Sequence, residues 1–299
     1  MKLQQARRNE VKLRIGLSAP SGFGKSYSAL LLAYGITKDY SKIAVIDTEN
    51  GSASLYADLG NFQVLNLEPP YSPERYMKAI SLCEQNGIEA IIIDSISHEW
   101  SGAGGCLEIH DKLGGRFQDW ARITPRHQSF IDKILQSSCH IITTVRRKTD
   151  YSMETDQSGK SKVVKHGLKE VTREGFEYEL SVNFEIINDN HLVRVSKDRT
   201  GLFMNKPEFV ITPETGEKLI EWCSSTINIE EMKSLITSVE NMADLKSLYN
   251  EYPEYQEKLH DEFLNKRENL EANFQGMKLN NKVAINEPTK FSQNGTTEH

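Results

Sequence analysis

The sequence predicts an α/β protein in which a mostly parallel sheet is flanked by helices and followed by a small C-terminal helical appendage. Three observations lead to this. Short β-rich runs alternate with helix-length segments across residues 11–212. They are apolar runs bounded by turn signals, AIII at 90–93 among them, as strands covered on both faces must be. From Pro213 onward the spacing of apolar residues becomes helical and no strand-like run returns.

Taken in order, VKLRIGLS (11–18) is the first strand, and a helix begins near Lys25. KIAVIDT (42–48), FQVLNL (62–67), AIIIDS (90–95) and HIITTV (140–145) follow as strands separated by helical patterns. FEYELSVNFEII (176–187) and HLVRVSKD (191–198), joined by Asn188, Asp189 and Asn190, are expected to form an antiparallel hairpin at the end of the sheet. After Pro213 come two to four helices, with Asn228 and Asn241 as cap residues and a break at Pro253. The expected organisation is a domain over 1–212, a helical region over 213–275, and a polar tail over 276–299 that lacks periodicity and is expected to be disordered.

Composition narrows the function classes. The 299 residues are 38% hydrophobic and 26% charged, enough for one large core and a smaller unit. No apolar run approaches bilayer length and the first residues lack the apolar stretch of an export signal, so a cytoplasmic chain with no membrane partner is expected. Cys83, Cys106, Cys139 and Cys223 are widely spaced with no CxxC pair, and read as reduced, buried thiols. Residues 1–212 hold 27 Lys/Arg against 26 Asp/Glu, whereas residues 213–299 hold 9 against 16. The acidity therefore belongs to the C-terminal part and leaves the first part free to meet a polyanion.

Residues 19–26, APSGFGKS, carry the strongest chemical signal. The pattern G-x-x-x-x-G-K-[ST] curls backbone N–H groups around phosphates, adds a lysine charge, and sets a hydroxyl on Mg²⁺. Gly24, Lys25 and Ser26 match it, and Ala19 replaces the first glycine, leaving Gly22 to take the tight turn. A strand before and a helix after would aim the positive end of that helix at the phosphates. The candidate nucleotide contacts are Ala19, Pro20, Ser21, Gly22, Phe23, Gly24, Lys25, Ser26 and Tyr27, with ATP and Mg²⁺ as cofactors. Asp94, ending the buried run AIII, is the carboxylate expected to share the Mg²⁺ with Ser26. Glu49, just past the second strand, is the candidate base for the attacking water. Asp47 reads equally as a turn acid. His98, Glu99 and His110 lack the HExxH spacing and a third ligand, so they are not read as a metal site.

In this order, these residues resemble the RecA-like recombinase and ATPase superfamily, most closely the small phage-encoded RecA-like P-loop ATPases of the single-strand-annealing recombination type. Glu49 in IDTEN lies 24 positions past Lys25, as the catalytic Glu does in RecA-like proteins, and IIIDS resembles their metal-binding strand. The resemblance covers about 11–205 and implies several further roles. In HIITTVRRK it implies a γ-phosphate sensor at Thr143 or Thr144, Thr144 preferred, followed by Arg146 and Arg147. In VRVSKDRTGLF it implies that Lys197 and Arg199 reach the nucleotide of a neighbouring subunit, and so a homo-oligomer, as a ring or filament. Two residues apart on a strand, both would share one face. It also implies that the segments after Asp94 and after the sensor strand are DNA-binding loops. The first is rich in glycine and carries Trp100, Phe117 and Trp120. The second, expected to be unstructured, holds Lys148, Lys160, Lys162, Lys165 and Lys169, which suit sequence-tolerant contact with single-stranded DNA.

The function expected is an ATPase acting on single-stranded DNA in phage recombination or replication, in the cytoplasm of a bacterial host. A single-strand-binding or annealing protein is a candidate partner. The alternatives are a hexameric helicase-like motor and a nucleotide-gated adaptor that recruits an annealing or replication protein.

Overall fold

The computed structural model describes residue 8 and residues 11–155, 161–224 and 229–284, with side chains described outside 150–167, 254 and 273–284. The strands are β1 (Arg14–Ala19), β2 (Ile43–Asp47), β3 (Gln63–Asn66), β4 (Ala90–Asp94), β5 (His140–Thr155), β6 (Ser161–Glu170), β7 (Val182–Ile186), β8 (Leu192–Asp198) and β9 (Phe209–Val210). The helices of the same unit are α1 (Lys25–Thr37), α2 (Pro73–Gln85), α3 (Ser97–Ser101), α4 (Cys106–Lys112), α5 (Trp120–Gln136) and α6 (Pro213–Ser224). Strand order is β3-β2-β4-β5-β1-β7-β8-β9, with β6 paired to β5. Along that order every pairing from β3 to β7 is parallel, β7-β8-β9 closes the edge antiparallel, and the added β5–β6 pair is antiparallel. This is a RecA-like P-loop NTPase fold, with the predicted hairpin in place.

The apolar runs form central strands because both of their faces are covered. In β4, Ala90 and Ile92 belong to the core on one side of the sheet, packed with Leu30, Leu32 and Leu219, while Ile91 and Ile93 belong to the other, with Tyr76, Phe130 and Ile134. β2 divides in the same way, Ile43 and Val45 against Ala44 and Ile46. Successive side chains of a strand point to opposite faces, so each face needs its own apolar set.

Two compact units are found, 1–223 and 224–299. The division falls at the end of α6, between Cys223 and Ser224. Leu219 and Cys223 of α6 sit in the main core, and α6 packs closely on α1 at Gly35 and Gly216. A Cβ on Gly35 would lie 1.9 Å from the Pro213 carbonyl oxygen, and one on Gly216 would lie 2.4 Å from that of Leu32. The two glycines permit the close approach of the helices.

The expectation of an unstructured stretch after residue 147 is corrected. β5 runs on beyond the sheet and pairs antiparallel with β6, from Arg147↔Glu170 to Thr155↔Ser161. The ladder of a core strand presets the register of its extension, which a polar sequence conceals. In the second unit, α7 (Ile229–Ser238), α8 (Met242–Glu251) and α9 (His260–Ala284) enclose a small core of Met232, Ile236, Leu245, Tyr252, Tyr255, Leu259 and Phe263. α9 continues through 276–284, a stretch expected to be disordered, and residues 285–299 lie outside the described ones. Among the described residues no helix is long and apolar enough to cross a membrane, and the four cysteines are free and buried.

Candidate functional site

The loop between β1 and α1 folds as a phosphate cradle. Ala19 is the last, fully buried residue of β1 and pairs with Arg146 of β5, so its Cβ is accommodated within the strand. Gly22 and Gly24 take the left-handed turns, each at φ 85°. Gly24 caps α1, and neither a side-chain cap nor an acidic residue in the first turn competes for the positive helix end. Lys25 Nζ donates to the carbonyls of Ala19, at 3.2 Å, and Pro20, at 3.0 Å, across the mouth of the loop. Burial lowers the Lys25 pKa, and the Asp94 carboxylate opposes the shift.

Asp94 lies at the end of β4, 2% exposed, and is held from both sides. Ser26 Oγ donates to its Oδ2 and Thr144 Oγ1 to its Oδ1. Parallel pairing of β2 with β4 sets Asp47 in register with Asp94, and the next residues of β2 then turn over the sheet end. Asp47 is consumed by that turn: its Oδ1 accepts from Glu49 N at 2.6 Å and its Oδ2 from Ala53 N at 2.7 Å. Thr48 Oγ1 accepts from Ser95 N at 2.8 Å and lies 2.8 Å from His98 Nδ1. Glu49 is thereby carried into the cleft, where Ser95 Oγ and Arg146 Nε donate to its Oε1 and Arg146 Nη2 donates to its Oε2.

The resulting cleft of about 630 Å³ is lined by Ser21, Gly22, Gly24, Lys25, Ser26, Tyr27, Glu49, Tyr56, Asp94, Arg146 and His191, among others. A sequence profile of the AAA domain family matches residues 11–212, the stretch that builds this cleft and its sheet. The chain belongs to the AAA domain family. No curated protein matches it. As an AAA domain protein it is a nucleotide-binding ATPase.

Within this AAA domain the candidate residues fall into four groups, the last of them the lysines along β5 and β6 taken up below. Lys25, Ser26, Glu49 and Asp94 converge on the cleft together with Tyr27, whose ring lies 5.8 Å from that of Tyr56. Thr144 is fully buried beneath Asp94, and the side chain of β5 that lines the cleft is Arg146. The structure does not bring Lys197 and Arg199 to the cleft of their own chain. Lys197 on β8 and Arg199, one residue past its end, both donate to the Tyr178 carbonyl, Arg199 Nη2 at 2.6 Å. Asp198 between them accepts from the backbone N–H groups of Phe203, at 2.7 Å, and Met204, at 3.0 Å, and so fixes the following loop.

Sequence reasoning missed His191 and Tyr56. His191, at the tip of the β7-β8 hairpin, lies with Nδ1 2.9 Å from the Phe23 carbonyl oxygen, against the phosphate loop. No local signal could have found it, because 168 positions separate the two residues.

A second concavity, of about 760 Å³, adjoins the outgoing part of β5. Trp100, Phe117 and Trp120 line it with Lys148, Lys169 and Arg173. Phe117 is 91% exposed, and the rings of Trp100 and Trp120 stack at 5.6 Å. Lys148 and Lys169 are direct cross-strand partners, and Lys169 also pairs with Glu174. Lys162 and Lys165 lie on β6 opposite Glu154 and Tyr151, and Lys160 lies outside the described residues.

Proposed function

We propose that this ATPase is Mg²⁺-dependent, works as a homo-oligomeric ring or filament, and acts on single-stranded DNA in phage recombination or replication within a bacterial host. The observation that carries the reading is the path of β5. Thr144 contacts Asp94, Arg146 contacts Glu49, and two residues further on Lys148 enters the aromatic and basic groove. Flat rings that stack bases without regard to sequence, interleaved with cations that neutralise phosphates, suit a single strand.

The cleft fits a magnesium nucleotide. Ser26 Oγ and Asp94 Oδ2 already touch and offer the hard oxygen donors that Mg²⁺ prefers. The chemistry Mg²⁺ supplies when bound is neutralisation of charge on the terminal phosphates. Lys25 and the first turn of α1 bind and orient those phosphates, Thr144 steadies Asp94, and Glu49 orients the attacking water and accepts its proton. Tyr27 and Tyr56 offer flat surfaces for a base. Lys197 and Arg199, turned away from their own cleft, serve the nucleotide of an adjoining copy, where a cation stabilises the transition state.

The decisive experiment measures phosphate release with and without single-stranded DNA. Stimulation that disappears on combining Phe117→Ala, Lys148→Ala and Lys169→Ala supports the reading. Hydrolysis indifferent to DNA, or stimulation that survives the triple change, removes the groove from it.

A further inference from the structure

We propose that Glu99, Cys106 and His127 form a Zn²⁺ site, separate from the nucleotide cleft, that ties α3, α4 and α5 together. The three residues come from three helices and are 1%, 0% and 5% exposed. His127 Nδ1 lies 3.0 and 3.1 Å from the two oxygens of Glu99, and Cys106 Sγ lies 3.0 Å from Glu99 Oε1. One donor atom from each falls within 4.8 Å of both others. Tetrahedral zinc with ordinary Zn–S, Zn–N and Zn–O bonds holds its donors about 3.3–3.6 Å apart. The Cys106 and His127 contacts to Glu99 need to open by only a few tenths of an ångström to accept the ion, and the Cys106 and His127 donor atoms lie within 4.8 Å of each other.

Donor chemistry selects the metal. A thiolate, an imidazole and a carboxylate together suit zinc, whereas Mg²⁺ and Ca²⁺ take oxygen ligands. Charge agrees: a dication with one thiolate, one carboxylate and a neutral imidazole sums to zero, which a site this buried requires. The nearby Arg126 does not oppose the ion strongly, because Glu74 accepts from it at 2.6 and 2.9 Å. Hydrogen bonds among the three groups also hold the cluster together without an ion. That metal-free arrangement is the competing state, and the two differ in whether a metal–sulfur bond exists.

The architecture around the cluster gives the ion a purpose. α3 has five residues and α4 seven, too short to hold their shape alone, and Gly102, Gly104 and Gly105 join them. Trp100 follows Glu99 directly, and its ring meets that of His127 edge-on at 5.4 Å. Fixing Glu99 to His127 therefore fixes the Trp100 and Trp120 faces of the groove. The histidines nearest in sequence are engaged elsewhere, His98 on Thr48 and His110 on the Arg116 carbonyl, and so the ligand set follows no linear motif.

The test uses the full chain, stripped with chelator and titrated with Co²⁺ and Zn²⁺. The expected result is one equivalent of Co²⁺ producing thiolate-to-cobalt charge-transfer absorption, displaced by Zn²⁺, lost in Cys106→Ser and retained in Cys139→Ser. Co²⁺ at the nucleotide cleft gives no such band, because that site holds no sulfur. Zn²⁺ should also raise the Tm of the wild type and leave that of His127→Gln unchanged. No charge-transfer band in the wild type, or one that persists in Cys106→Ser, overturns the proposal. Should Cys106→Ser fail to fold, the wild-type titration and His127→Gln decide the matter.

Discussion

Arg146 grips both carboxylate oxygens of Glu49, donating from Nε to Oε1 at 2.8 Å and from Nη2 to Oε2, while Ser95 Oγ adds a third bond at 3.0 Å. Three accepted bonds occupy most of the carboxylate's four acceptor positions, so on the proposed role of Glu49 as base Arg146 turns away to free it for a water. The terminal phosphate of the nucleotide is the natural acceptor for the released guanidinium.

Two substitutions separate these roles. Glu49→Gln is expected to lower kcat by about 10²- to 10⁴-fold, the usual contribution of a positioned base, with nucleotide affinity nearly unchanged. Arg146→Ala should also lower kcat, by about tenfold or more, through loss of a cation near the transferring phosphate. Phosphate release together with binding of a fluorescent nucleotide measures both. Wild-type hydrolysis in Arg146→Ala would reduce the ion pair to a structural contact.

The proposed sharing of sites between copies can be tested by mixing. Glu49→Gln and Arg199→Ala should each be nearly inactive, yet a mixture of the two proteins should regain activity at interfaces where an intact Glu49 faces an intact Arg199. A mixture no more active than its components would confine the chemistry to a single chain.

Gly35→Ala reverses the sign that helix propensity gives. In an exposed helix the change stabilises by up to about 1 kcal/mol. Here the added methyl collides with the Pro213 carbonyl, and overpacking costs about 1–3 kcal/mol or more. Urea denaturation of the variant reads the sign directly.

His140 supplies a pH dependence. It is buried, its Nδ1 accepts from Leu13 N at 3.1 Å, and burial, aided by Lys12 and Arg14, pushes its pKa from 6.5 down to about 3. Above the unfolded value both states are neutral and nothing is gained or lost. As pH falls below about 6.5 the unfolded chain takes up a proton that the folded chain refuses, so stability declines until about pH 3. His140→Asn keeps an acceptor for Leu13 without titrating. It should flatten the slope of unfolding free energy between about pH 5 and 6 by up to ~1.4 kcal/mol per pH unit. Equal slopes for variant and wild type would show that His140 does not carry this limb.

The amino-acid sequence by itself determined the phosphate loop, the strands β1 to β5 in their order along the chain and the closing hairpin, but not β6 or β9. These rest on near neighbours: glycines that permit a left-handed turn, apolar runs that need cover on both faces, and a carboxylate ending a buried strand. Tertiary structure alone decided that Thr144 supports Asp94, that Arg146 occupies Glu49, that His191 leans on the phosphate loop, and that Glu99 meets Cys106 and His127. Each of those pairs joins different elements, and the sheet's lateral order, with β5 seated between β4 and β1, sets which strand ends become neighbours. Spacing along the chain carries no record of that order, because it is fixed by pairing and packing across the sheet rather than by local conformation.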